Sequence, residues 1–291
     1  MSNPLDKEFV DAGHTSADKA AALGEQERSA FVSRDGEKVD VETIRRFVEQ
    51  LEEQAGLGDA ELGSIVSELD KRQETFARLL GELPDLDPDQ VEFLLRNVFA
   101  TRGRRDEIVE SLGVEGFNEA AHTLLSGDGA VAERVDRFCD RLDGIDERVR
   151  WSLASELLHL SDPETCHLWT RWMWNPESRT GAVPLMTTTD VDLDGDSPGE
   201  IYVAVGNAVD RLDERTDEMG FSSDVVDGPL GTDVAMATVH AVYTYLVLGM
   251  RMTKEFTQAI PDHPEYIRRL LGVQELHEQR TARAGPPGGG P

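Results

Sequence analysis

The stretch RWSLASELLHLSDPETCHLWTRWMWNP, residues 150–176, holds all four tryptophans of the chain, one of its two cysteines and two of its seven histidines. Only 6% of the residues are aromatic, and aromatic side chains are the largest units of buried apolar surface. Clustering of this kind marks either the centre of a core or the wall of a pocket. The pattern predicts a first helix over 145–160, ending at Ser161. Asp162-Pro163 then offers a side-chain acceptor followed by a ring that needs no hydrogen-bond partner in a first turn, which predicts a second helix over 163–174. Pro176 stops it by disfavouring a helical Asn175. Folded back on each other, the two helices make a tryptophan-rich hairpin with shielded indoles.

Helical spacing puts His167, Arg171 and Trp174 on one stripe of the second helix, beside an apolar stripe of Leu168, Trp169 and Trp172. A guanidinium next to tryptophan faces, with an imidazole one turn away, suits a carboxylate, a phosphate or a planar ring. Glu156 and His159, three apart on the first helix, point towards the same region. Two arrangements follow. In one, a Glu156–Arg171 ion pair staples the hairpin from inside. In the other, His159, His167, Arg171, Trp174 and His240 line a polar pocket in an apolar setting, which is the usual form of a ligand site. His159, Cys166 and His167 are also zinc-ligand types. Adjacent helical residues point about 100° apart, so Cys166 and His167 do not share one ion, and no metal is expected.

Outside this stretch the chain reads as a mainly α, multi-helix orthogonal bundle with one small β-hairpin near residues 182–193. Residues 1–38 lack sustained periodicity and are expected to be a flexible segment. The N-terminal helical half, 39–144, opens with apolar residues at helical spacing from Ile44 to Leu51, then from Leu62 to Leu83. Asp87-Pro88 caps a helix carrying Val91, Leu94, Leu95, Val98 and Phe99. Shorter helices follow over 106–112, 117–125 and 131–142, punctuated by Gly113, Gly127 and Gly144.

The C-terminal half, 145–273, continues from the tryptophan stretch to the strand-like run 182–189. Ser197-Pro198-Gly199-Glu200 then forms a capping box that starts a long helix reaching about residue 219. A helix capped by Thr232 is apolar on every side as far as Met252, so it should be the buried spine of this half. Its uncharged run 234–250 is slightly short for a membrane span of about 20 residues and has His240 near its centre, so no membrane insertion is expected. A last helix starts after His263-Pro264, and 274–291 is a disordered tail.

Composition speaks to the solvent. The chain has 57 Asp plus Glu against 29 Lys plus Arg, a formal charge of -28, and only five of the basic residues are lysines. Such like charge repels itself in dilute buffer, whereas at molar salt the Debye length falls to about 3 Å and the repulsion is screened. The balance therefore resembles that of a cytosolic protein from a halophile that accumulates salt internally. A polar, acidic start predicts no secretory signal, and two cysteines suggest free thiols in a cytoplasmic setting.

The remaining motifs carry little chemistry. Asp190, Asp192, Asp194, Gly195 and Asp196 match the first half of a calcium loop, but the bidentate glutamate position falls on Ile201. A solvated acidic turn is the simpler reading. Arg96, Arg102, Arg104 and Arg105 form the one dense basic cluster, and nearby acids are expected to neutralise it, so nucleic acid is not an expected partner. No nucleophile elbow, Walker loop or dinucleotide fingerprint occurs, and no cofactor is implied. These features lead to an expected non-catalytic soluble helical protein that works through association with a protein partner. The rival is an enzyme or small-ligand-binding protein using the pocket at the hairpin.

Overall fold

The computed structural model describes residues 45, 57–101, 103–187, 191–213, 221, 228–249 and 262–273. The expected flexible segment 1–38 and tail 274–291 lie outside them. Among the helices with described bounds the first, α1 (Asp59–Leu80), buries Leu62, Ile65, Leu69, Phe76 and Leu80 on one face, with Arg72 on the same stripe. Helix α2 (Pro88–Asn97) starts with a reciprocal capping box: Gln90 N–H donates to Asp87 Oδ1 at 2.8 Å, and Asp87 N–H to Gln90 Oε1 at 2.8 Å. A 3-10 turn, Phe99–Thr101, leads into α3 (Arg105–Ser126). Gly113, at φ 66°, divides α3 into the two shorter runs that the sequence predicts. A residue with a Cβ is strained there. Helix α4 (Val131–Arg141) buries Val135, Phe138 and Cys139.

Helix α5 (Glu147–Ser161) is the centre of the packing. Every residue from Trp151 to Leu160 is buried, and the helix lies against α1, α3, α4 and the 3-10 turn. A helix enclosed on all sides needs partners for its polar residues, and α5 carries Ser152, Ser155, Glu156 and His159 inward.

The second tryptophan helix does not form. Residues 163–165 make a turn, 166–170 run without regular structure beside α5, and a further turn follows at 171–173. Ser155 explains why. Its Oγ accepts from Trp169 N–H at 2.6 Å and donates to Trp169 C=O at 2.8 Å, so both backbone groups a helix would use are bound to α5. The indoles are buried nonetheless: Trp169 is 0% exposed and stacks on Trp151 with centroids 4.2 Å apart and planes 9° from parallel. Tertiary burial here outweighs the Asp-Pro start signal.

The expected β-hairpin near 182–193 is also replaced. Residues Ala182–Met186 form a short helix, α6, and the described residues contain no strand, only an isolated bridge between Asn175 and Thr180. Ala182, Val183 and Met186 turn one helical face into the core, and Pro184 falls within a first turn that asks for no N–H from it. Gly181 precedes α6 where the chain passes Met173 so closely that a Cβ would collide with its carbonyl oxygen.

Helix α7 (Pro198–Asp213) is the capped helix read from Ser197-Pro198, and residues 214–220 lie outside the description. Asp136 of α4 secures its start by accepting from Ser197 Oγ–H and Gly199 N–H, both at 2.8 Å. The spine, α8 (Pro229–Gly249), begins at Pro229 rather than after Thr232, which brings Asp233 inside the helix. It packs on α1, α6, α7 and α9 (His263–Leu270), the last capped by Asp262. Apolar side chains from α1 to the residues after α9 join one continuous cluster across residue 144. Among the described residues no helix is long and apolar enough to cross a membrane.

Candidate functional site

The buried polar groups gather where α5 faces α1 and α8. Arg72 of α1, Glu156 and His159 of α5, Thr170 of the following loop and Asp233 of α8 line a small cavity with Leu69, Phe99, Leu160, Leu168, Leu270 and Leu271. Its volume, about 10 Å³ for the centre of a water-sized sphere, holds about one water molecule. Glu156 accepts from Phe99 N–H at 2.9 Å and Ala100 N–H at 2.8 Å, and lies 3.4 Å from the Arg72 guanidinium. Arg72 also donates to Asn97 C=O at 3.1 Å. One carboxylate thus closes the 3-10 turn and neutralises a buried cation.

His159 sits between two acceptors. Its Nδ1 is 2.7 Å from Cys166 C=O, and its Nε2 is 2.7 Å from Asp233 Oδ2. Burial acts against a charged ring, and so does Arg72. The Asp233 carboxylate and the Cys166 carbonyl more than offset this, so the imidazole titrates above its ordinary 6.5.

The other four candidate residues do not converge on this cavity. The His167 ring, partly exposed, is 3.0 Å from Asp210 Oδ1 of α7. His240 of α8 lies against Trp172, with centroids 5.9 Å apart, and burial pushes its pKa down to about 4, so the ring is neutral at pH 7. Trp174 is buried, accepts from Trp169 Nε1–H through its carbonyl at 3.0 Å, and has the Arg179 guanidinium 5.8 Å from its ring centroid. Arg171 is half-buried. Burial first and Arg148 second lower its pKa, against Glu177 and Asp146.

The hairpin staple is therefore corrected. Glu156 pairs with Arg72, 84 residues away in sequence, and among the described residues Arg171 makes no ion pair. Arg171→Ala should change the unfolding free energy by about 1 kcal/mol or less, as at other sites without a buried partner. A staple would demand about 3–5 kcal/mol. Urea titration at constant molar salt separates the two.

The other sequence motifs are occupied by neighbours. Arg96 and Arg105 both face Glu92, Arg105 also meets Asp106 at 3.0 Å, and Arg104 meets Glu107 at 3.0 Å. Arg102 is outside the description. Asp194 holds Arg179 through both oxygens, Asp192 accepts from Asp194 N–H, and Glu200 accepts from Asp196 N–H, while Asp190 is outside the description. Among the described residues no group of three His, Cys, Asp or Glu side chains is placed to hold a metal ion.

Sequence reasoning missed Arg72 and did not connect Asp233 with His159. A signal for the first exists, because Arg72 falls between Leu69 and Phe76 on the apolar stripe of α1, where a charge needs an internal partner. The chain matches no protein-family model, no curated protein and no solved structure.

Proposed function

We propose that this chain is a non-catalytic helical protein of a salt-rich cytosol that acts by associating with a protein partner. The observation that supports this reading is that Glu156 is engaged by Arg72 and the backbone of the 3-10 turn, and His159 by Asp233 and the Cys166 carbonyl. The five side chains expected to line a pocket are spread over separate neighbours, and the cavity that His159 does border has room for about one water. A reacting or binding site for a metabolite needs an open concavity with convergent polar groups. Of the rival pocket, His159 alone keeps a place beside the cavity.

The acidic composition supports the setting: a charge of -28 on 291 residues favours a medium in which that repulsion is screened. The test combines the two parts. Thermal melts followed by circular dichroism should show the midpoint rising steeply from low salt to molar potassium chloride. The chain purified natively in that salt and cross-linked should carry one protein at fixed stoichiometry, abolished by unfolding. An unchanged midpoint overturns the salt-rich setting, and an unaccompanied monomer that retains a small molecule overturns the association reading.

A further inference from the structure

The protonation of His159 is fixed by its neighbours. A carbonyl oxygen can only accept, so Nδ1, 2.7 Å from Cys166 C=O, carries a hydrogen. A neutral imidazole has only one N–H. With that hydrogen on Nδ1, a neutral ring would turn the Nε2 lone pair onto a carboxylate oxygen 2.7 Å away. Neither Nε2 nor Asp233 Oδ2 has a hydrogen-bond partner, and two bare acceptors 2.7 Å apart repel, so the contact calls for a second proton on one of them.

The surroundings make that proton costly to lose. The charged groups facing His159 are Asp233 from α8, Arg72 from α1 and Glu156 on its own helix. The loop contributes the neutral Thr170, and Leu270 and Leu271 close the cavity from the α9 side. Arg72 offsets Glu156, and a protonated His159 offsets Asp233. Without the proton the described groups lining the cavity carry one net negative charge, buried where an uncompensated ion is strongly disfavoured. An external ion does not suit the cavity, since either sign would meet a like charge, and it is only water-sized. Thr170 Oγ1, buried and without a hydrogen-bond partner, leaves a water as the fitting occupant.

We propose that the His159–Asp233 contact is a proton-dependent latch. It fastens the start of α8 to the last turn of α5, and loss of the shared proton in alkaline solution releases the N-terminal turns of α8. The position gives the latch leverage. Helix α5 packs on α1, α3 and α4, and α8 packs on α1, α6, α7 and α9, so this pair adds a buried polar tie to the α4–α7 packing and the shared α1 that already join the two sets. A cation in the last turn of α5 also meets the negative end of that helix. The direction of titration agrees: a histidine raised above 6.5 in the folded protein gives stability that is full below the unfolded value. That stability is lost as pH rises through the folded value.

The test uses the full chain in constant molar potassium chloride. Long-range proton–nitrogen NMR of the imidazoles at neutral pH should show both ring nitrogens of His159 protonated. The melting midpoint should fall as pH rises above the ordinary histidine value of 6.5, with amide exchange at the start of α8 accelerating along with it. In Asp233→Asn the amide can donate to a neutral Nε2, so that variant should lose this pH step while remaining folded. An unprotonated Nε2 in the wild-type protein at neutral pH overturns the latch, as does an Asp233→Asn protein with the wild-type pH step. Should the variant fail to fold, the wild-type ring nitrogens and the exchange at α8 decide alone.

Discussion

Glu156→Ala is expected to lower the unfolding free energy by about 3–5 kcal/mol, the range for removing one partner of a buried ion pair. Three donors end on this one side chain: the N–H groups of Phe99 and Ala100 at 2.9 and 2.8 Å, and the Arg72 guanidinium at 3.4 Å. Alanine takes away the charge that neutralises Arg72 and both acceptors that close the 3-10 turn. Water entering the enlarged cavity recovers part of the loss, which keeps the expectation within the range for the ion pair alone. Glu156→Gln retains one acceptor oxygen and should lose less. Urea unfolding at fixed molar salt is the measurement, because guanidinium chloride would itself change the screening. A loss below about 1 kcal/mol for the alanine variant would remove Glu156 from the centre of the fold.

Trp169→Ala should be comparably severe, at about 3–5 kcal/mol. The indole is fully buried, stacked on Trp151 at 4.2 Å, and its N–H donates to the Trp174 carbonyl at 3.0 Å. The loop that carries it has no ladder of its own hydrogen bonds, so the ring and the Ser155 contacts hold it in place. Trp169→Phe keeps a ring for the stack and loses the N–H, so a smaller loss of about 1–2 kcal/mol is expected, the cost of a buried carbonyl without its donor. Against a typical domain stability of about 5–15 kcal/mol, the alanine variant should unfold well below the temperature of the parent. Near-ultraviolet circular dichroism should also lose the signal of the paired indoles.

The helices were legible wherever periodicity and caps agreed. Leu62 to Leu80 repeats at helical spacing, Asp87-Pro88 sits at an N-cap, and Gly113 breaks α3 where the pattern breaks, whereas the last helix starts earlier than expected, at His263 with Asp262 as its cap. Sequence failed where a distant side chain overruled a local signal. Asp162-Pro163 looks like a helix start, but Ser155 on the preceding helix claims both backbone groups of Trp169. The run around Pro184 has strand-like residues, yet its buried positions fit one helical face.

The buried polar cluster divides the same way. Glu156 and His159 were visible as neighbours on one helix, and Arg72, though missed, was open to reading as a charge on an apolar stripe. Their partnership was not, because a pairing across 84 residues leaves no local trace. Arg171 was the wrong cation for Glu156 for the same reason: it was nearer in sequence, and the loop that holds it does not form the helix that would have aimed it inward.

The hydrogen bonds from Phe99 and Ala100 to Glu156 cross 57 and 56 residues of chain. As the polypeptide emerges during synthesis, the 3-10 turn is made long before its acceptor exists. Closure of the 3-10 turn between the second and third described helices thus depends on a side chain of the fifth, a non-local contact of the kind whose loop-closure entropy slows folding.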